Sequence, residues 1–209
     1  MMRHIKVINI ENKGRGVIAI DDIPKHTVIM IDKPLLHLEN NTIDEIILAL
    51  KMNKELLAKF NTQYPFSIDK HTLSIESFQQ VSKLSPTIEH RLMLEKYRRN
   101  TFNADNNNKK LIPVILINGS LFNHSCYPNV SFHFHNNCMY FFTNRDVKKG
   151  EELTDSYVDL TLSTKERKQY LYTNYGFTCC CDRCENKLNI PKKIIINIMK
   201  LRKVYCVSV

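Results

Sequence analysis

Between residues 4 and 39 the chain carries short runs rich in isoleucine and valine, HIKVINI, GVIAI, TVIMI and LLHL, with turn signals such as DDIPKH between them. Runs of this length and composition predict strands. From residue 43 the period changes: Ile43, Ile46, Ile47, Leu50, Leu57 and Phe60 recur at helical spacing. Ser85 followed by Pro86 predicts an N-cap and first helical position for TIEHRLMLEKYRR. After the polar stretch NADNNNKK the strand pattern returns in LIPVILI, VSFHFH and CMYFFTN. Ser163 and Glu166 then have the spacing of a capping box ahead of KERKQYLYTNY, and Gly176 stands where that helix should end. The pattern predicts a mostly-β α+β fold interrupted by a helical insert. The segments are 1–40, 41–100, 101–160 and 161–186, followed by a basic helix or tail over 187–209.

Length and composition narrow the class. The 209 residues fit one domain, or one domain with an inserted lobe, and 43% hydrophobic content excludes wholesale disorder. No apolar run is long enough to cross a bilayer. The start, MMRHIKVINI, reads as an alternating strand and not as a signal peptide, so the expected location is intracellular, in nucleus or cytoplasm. Lysine and arginine number 30 against 21 acidic residues, a net charge of +9, densest from Lys187 to Lys203. Such a charge permits attraction to nucleic acid, although no long basic run stands out and solvation of a lysine-rich chain accounts for it better. The abundance of isoleucine, lysine and asparagine suits an AT-rich genome, such as that of a large DNA virus, with a host cell as its location, or a parasite. Of only five glycines, Gly14 and Gly16 flank one arginine, where a backbone must turn or be closely approached.

The seven cysteines are odd in number, and Cys179, Cys180 and Cys181 are consecutive, which makes a poor disulfide framework and a good metal-binding one. Cys179, Cys181 and Cys184 form Cys-x-Cys-x2-Cys and can supply three corners of a zinc tetrahedron, with sulfur about 2.3 Å from the ion. Cys126, Cys138, Cys206 or a histidine can complete it; Cys180 is poorly placed beside its neighbours. His133 and His135 share one strand face opposite Phe132 and Phe134, an arrangement of a solvated face over a core face. Ser125 beside His124 is no hydrolase signal, because sequence neighbours rarely form a nucleophile–base pair and no nucleophile elbow is present.

In order along the chain stand GRG before a strand, DDIPKHTVIMIDKPLL, the helical insert, SLFNHSCYPN, TNRDVKKGEELTDSY and the cysteine loop. Together, over about residues 5 to 185, they resemble a SET-domain protein-lysine methyltransferase, closest to the subfamily whose SET domain is split by a MYND zinc finger. The resemblance implies a SET fold in which the Asn-His segment passes through a pseudoknot, and a post-SET loop closed by structural zinc. It implies S-adenosylmethionine as methyl donor. Lys13, Gly14 and Arg15 match the first cofactor loop, Asn100 a further polar contact, Asn123 and His124 the contacts to the donor's amino-acid part, and Phe177 the aromatic packed on adenine. Tyr157 matches the catalytic tyrosine, itself beside the cofactor. Phe102, Tyr157 and Tyr175 match the lysine channel. Cys126, Cys179, Cys181 and Cys184 match the zinc ligands, a closed set with no open position for catalysis.

The sequence also departs from that pattern. Residues 40 to 100 hold no cysteine, so the MYND finger is missing, and about twenty-five residues after Cys184 leave no room for the subfamily's helical C-terminal domain. Lys13 replaces a common arginine, and His26 stands where the turn often has glycine, although histidine tolerates positive φ better than most residues. The expectation is a reduced SET enzyme acting on a protein that presents a lysine, with histones as the first candidate, no membrane partner and the oligomeric state open. Two alternatives stand: a SET fold that works as a protein-binding module, and a basic zinc protein that binds nucleic acid.

Overall fold

The computed structural model describes residues 2–37, 41–105 and 111–204. They divide into two compact units, Met1–Lys33 with Leu121–Val209, and Pro34–Ser120. Among the described residues, no helix is long and apolar enough to cross a membrane.

The first unit contains two sheets. In one, β1 (Ile5–Ile10) runs antiparallel to β2 (Gly14–Ala19), β2 pairs antiparallel with β10 (Glu152–Asp155), and β10 lies parallel to β7 (Asn123–His124). The β1–β2 turn is possible because Asn12 and Gly14 take positive φ, 59° and 73°. The parallel β7–β10 pair sets the two motif segments side by side, Asn123 against Thr154 and His124 against Asp155. In the other sheet β3 (Val28–Asp32), β9 (Cys138–Thr143) and β8 (Val130–His135) lie in the order β3-β9-β8. Asn136 and Asn137, both at positive φ, close the β8–β9 hairpin. His26 has φ 66°, as its place in a glycine-type turn required. Val17, Met30, Phe122, Phe141 and Leu153 are among the residues of this unit's core.

Two helices follow β10. α5 (Thr164–Tyr175) carries the expected capping box between Ser163 and Glu166 and ends on Gly176 at φ 82°. α6 (Lys192–Val204) forms in the basic tail and buries Ile195 and Ile198.

The second unit is wider than the helical segment, because it takes strands with it. β4 (Leu36–His37), β6 (Leu111–Ile115) and β5 (Thr101–Asp105) pair in the order β4-β6-β5. The helices are α1 (Ile43–Met52), α2 (Lys54–Asn61), α3 (Ile75–Val81) and α4 (Ile88–Asn100). The apolar period from Ile43 to Phe60 is split at Asn53, which ends α1 and whose side chain accepts from Leu56 N to start α2. Ile46, Ile47, Leu50, Phe60, Met93 and Ile115 make one core cluster. The start of α4 corrects the expectation from Ser85-Pro86. The cap is Thr87, whose side chain accepts from His90 N at 3.1 Å, while the Ser85 carbonyl binds the His90 ring. Thr87 caps equally well and leaves Pro86 outside the helix.

Candidate active site and metal centre

Glu152 on β10 collects the polar groups that the glycine loop and β7 bring to it. Its carboxylate accepts from Asn123 Nδ2 at 3.0 Å and from Lys13 Nζ at 2.6 Å. Gly14, at φ 73°, supplies the turn that carries Lys13, and the exposed Arg15 follows in β2 opposite Asn9. Gly16 serves a different need. A Cβ there would press on the end of Ile10 and stand 2.6 Å from Asn123 Nδ2. Asn129, buried, holds the other side of β10: its side chain accepts from Thr154 N at 2.8 Å and donates to the Glu152 carbonyl at 2.9 Å. No role for Asn129 or Glu152 was read from the sequence, although both stand inside the quoted motifs.

His124 links this polar cluster to the aromatic one. Its Nδ1 accepts from Tyr157 N at 3.0 Å, so Nε2 carries the proton and faces Cys126 Sγ at 3.2 Å. Both nitrogens of the imidazole are therefore engaged within the protein. Tyr157 donates its hydroxyl hydrogen bond to the carbonyl of buried Phe122 at 2.6 Å. The Tyr157 ring is 4.9 Å from Tyr175 and 5.4 Å from His124, and Phe177 lies 6.0 Å from His124. Burial, and then the charge of Asp155, push the Tyr157 phenol well above its usual range, so it is a neutral donor.

The four sulfurs of Cys126, Cys179, Cys181 and Cys184 lie within 4.8 Å of one another. Cys126 Sγ is 3.9 Å from Cys179 Sγ and 3.4 Å from Cys184 Sγ. Sulfurs at the corners of a zinc tetrahedron are about 3.8 Å apart for bonds of about 2.3 Å, so the cage fits a zinc-sized ion and closes it on all sides. Among the described residues this is the only group of its kind. Hydrogen bonds to Cys126 and Cys181, with burial, hold the Cys179 thiol up, while those from Cys126 and Cys179 hold Cys181 down. Cys180 points outward and is exposed, Cys138 stands in β9 opposite His135, and Cys206 lies outside the described residues. His133 and His135 are half-buried and group with Tyr140, stacked at 5.4 Å on His133. Val158, Leu160, Leu171, Ile195 and Ile198 pack around the sulfurs.

Asn100 and Phe102 belong to the second unit. The Asn100 amide donates to the carbonyls of Tyr64 at 2.6 Å and Lys96 at 2.7 Å, and Phe102 lies on β5 opposite Val114.

The SET domain model matches residues 14–158. A SET domain-containing protein of Acanthamoeba polyphaga mimivirus is 38% identical over 201 residues, covering 86% of this chain and 77% of that protein. A SET and MYND domain-containing protein of Dictyostelium discoideum is 32% identical over 169 residues, 80% of this chain and 42% of the relative. The histone-lysine N-methyltransferase SMYD3 of Homo sapiens is 34% identical over 113 residues, 54% of this chain and 26% of the relative. The chain thus spans most of the viral relative but less than half of the other two. Among solved structures, the SET domain of LSMT, bound to lysine and AdoHcy, matches with a TM-score of 0.53 at 16% identity, over 84% of this chain and 53% of that one. The chain belongs to the SET-domain family and has the SET fold, and at family level it groups with protein-lysine methyltransferases.

Proposed function

From that membership we propose that the protein transfers a methyl group from S-adenosylmethionine to a lysine side chain of another protein, and that its four cysteines hold a structural zinc ion. The observation that carries the reading is the convergence on Tyr157: its hydroxyl is held by the Phe122 carbonyl, its main chain by His124, and its ring by Tyr175.

The residues divide the work. Bound S-adenosylmethionine supplies a methyl group on a positive sulfonium. Lys13 and Asn123 hold the amino-acid end of that molecule, with Lys13 sharing itself between Glu152 and the ligand carboxylate. Gly14 and Arg15 let the loop close on it, and Phe177 faces the adenine. For Asn100 and Phe102 the family resemblance alone implies a further polar contact and a place in the lysine channel. Tyr157 and Tyr175 form walls suited to an apolar lysine stem and a cationic nitrogen. Tyr157 stays protonated and orients the amine by a hydrogen bond; it does not remove the amine's proton. Alignment of the neutral amine with the methyl group, in a site that excludes water, supplies the acceleration. A zinc ion held by the four thiolates would have no open position for chemistry and would tie Cys126 to the segment of Phe177 that follows Tyr175 at the end of α5.

The substrate class is a lysine-presenting protein, with a histone as the first candidate. The +9 charge of the chain opposes a basic histone tail, so local acidic groups must guide such a substrate. The test is methyl transfer from labelled S-adenosylmethionine to histones and to whole-cell protein, for wild type and Tyr157→Phe. Transfer that the mutant loses supports the proposal. A folded wild type that binds the donor and transfers to neither mixture overturns it in favour of a binding module.

A further inference from the structure

Arg167 lies on α5, 2% exposed, with its guanidinium turned into the sulfur cage. It donates to the Leu162 carbonyl, to Thr164 Oγ1 at 3.2 Å and to Cys184 Sγ at 3.7 Å. None of the ion pairs among the described residues includes it. Burial disfavours its charge, and the neighbouring Cys126 and Cys184 favour it. Arg183, half-buried in the cysteine loop, approaches the same centre, donating to the Cys126 and Leu160 carbonyls at 3.0 Å each. Both guanidiniums thus meet the same four-cysteine cluster, Arg167 at a sulfur and Arg183 at a backbone carbonyl. The third cation nearby, Lys168, is already matched by Glu185 at 2.9 Å and adds no net charge.

Two like charges beside a buried cage are costly unless an anion lies between them; one uncompensated buried charge costs several kcal/mol. Neutral thiols cannot supply that anion, and a single thiolate matches only one of the two charges. A divalent cation with four thiolates can, because two positive and four negative charges leave a net charge of minus two. We propose that Arg167 and Arg183 are the counter-cations of the metal centre, their two positive charges balancing that net charge, with Arg167 governing how firmly the metal is retained and how slowly its thiolates react. This rests on the zinc reading above. Stripped of its counter-cations, the centre carries uncompensated negative charge, and its sulfurs become better nucleophiles and poorer at holding the ion against a competing chelator.

The experiment uses the full zinc-loaded chain. Zinc per chain, the rate of zinc release to a chelating dye and the rate of alkylation by iodoacetamide are measured for wild type, Arg167→Gln, Arg167→Lys, Arg183→Gln and Lys168→Gln. Loss of a group that supports metal ligands from outside costs about 10–100-fold in metal affinity. Arg167→Gln and Arg183→Gln should release zinc and become alkylated faster by about that factor. Arg167→Lys should stay within a few-fold of wild type, and Lys168→Gln should match it. If Arg167→Gln does not fold, Arg183→Gln and Arg167→Lys carry the test. Release at the wild-type rate from the Gln variants, or Arg167→Lys behaving like Arg167→Gln or, where that variant does not fold, like Arg183→Gln, overturns the proposal while leaving zinc in place. A wild type that holds no zinc overturns the metal reading and the proposal with it.

Discussion

Gly16→Ala tests whether the close approach of β2 to Asn123 is what shapes the proposed cofactor site. Gly16 is a strand residue without positive φ, so its backbone accepts alanine, and lower entropy of the unfolded chain alone would stabilise the variant by about 0.4–1 kcal/mol. The added methyl group, however, would meet the Ile10 side chain and stand 2.6 Å from Asn123 Nδ2. Both obstacles are side-chain ends and can give way. Asn123 must then retreat by roughly 1 Å, since carbon–nitrogen contacts need roughly 3.5 Å, which opens its 3.0 Å bond to Glu152. Overpacking costs about 1–3 kcal/mol and a lost hydrogen bond to a charged group about 1.5–3 kcal/mol. The net expectation is a loss of about 2–5 kcal/mol, and about 2–4 °C in Tm for each kcal/mol in a chain of this size. Affinity for S-adenosylmethionine should fall at least roughly tenfold, the equivalent of about 1.4 kcal/mol, because Asn123 leaves its place. Gly14→Ala is the contrast: nothing lies within 4 Å of its added Cβ, but φ 73° strains any side-chain-bearing residue, so it should lose stability without moving Asn123. Thermal unfolding and calorimetric titration of the donor measure both quantities. In an Asn123→Ala background most of the Gly16→Ala penalty should vanish. If the two substitutions add to within about 0.5 kcal/mol, the close approach is not the reason for the glycine.

Three further outcomes follow from the geometry. Because burial raises the Tyr157 pKa above the ordinary value of about 10, the pH–rate profile of methyl transfer should show no rise attributable to phenol ionisation below that pH, and an inflection that Tyr157→Phe abolishes there would contradict its donor role. The linked stability has the matching sign: it is fully present below the unfolded tyrosine's pKa and is lost as pH rises through the higher folded value. Removing metal with a strong chelator should speed hydrogen exchange in residues 176–185 and, through Cys126 and His124, at the Tyr157 amide, with little change in α4; unchanged protection around the cysteines would refute the tie. In the second unit Glu95, fully buried, accepts from Leu73 N at 3.0 Å, Arg98 at 2.8 Å and Arg99 at 3.0 Å. Glu95→Ala leaves Arg99 with Asp69 at 3.3 Å and should cost about 3–5 kcal/mol by denaturant unfolding; under about 1 kcal/mol would mean that the network rearranges freely.

The parts of this protein legible in its sequence are those governed by local rules. Alternation and β-branching marked β1, β2, β3, β8 and β9, the capping box marked α5, Gly176 marked its end, and the cysteine spacing marked three of the four cysteines whose sulfurs cluster. The family was legible too, because its motifs keep their order along the chain. Ser85 was mistaken for the cap of α4 because two capping residues, Ser85 and Thr87, flank Pro86 and only side-chain geometry chooses between them. β7 and β10 escaped notice because strands of two and four residues have no periodicity of their own and exist only as pairs across the chain. The same holds at the site. Sequence could offer Cys126 through resemblance, but only folding brings its sulfur to Cys179 and Cys184 across more than fifty residues. It could single out Tyr157, yet not the carbonyl that holds its hydroxyl or the imidazole that holds its main chain. Nothing in KERKQY or CDRC singles out Arg167 or Arg183; only tertiary packing brings Arg167 to the Cys184 sulfur and Arg183 to the Cys126 carbonyl. Local propensity and spacing act between neighbours, whereas burial, charge compensation and ligand geometry are properties of the groups that the completed fold brings together.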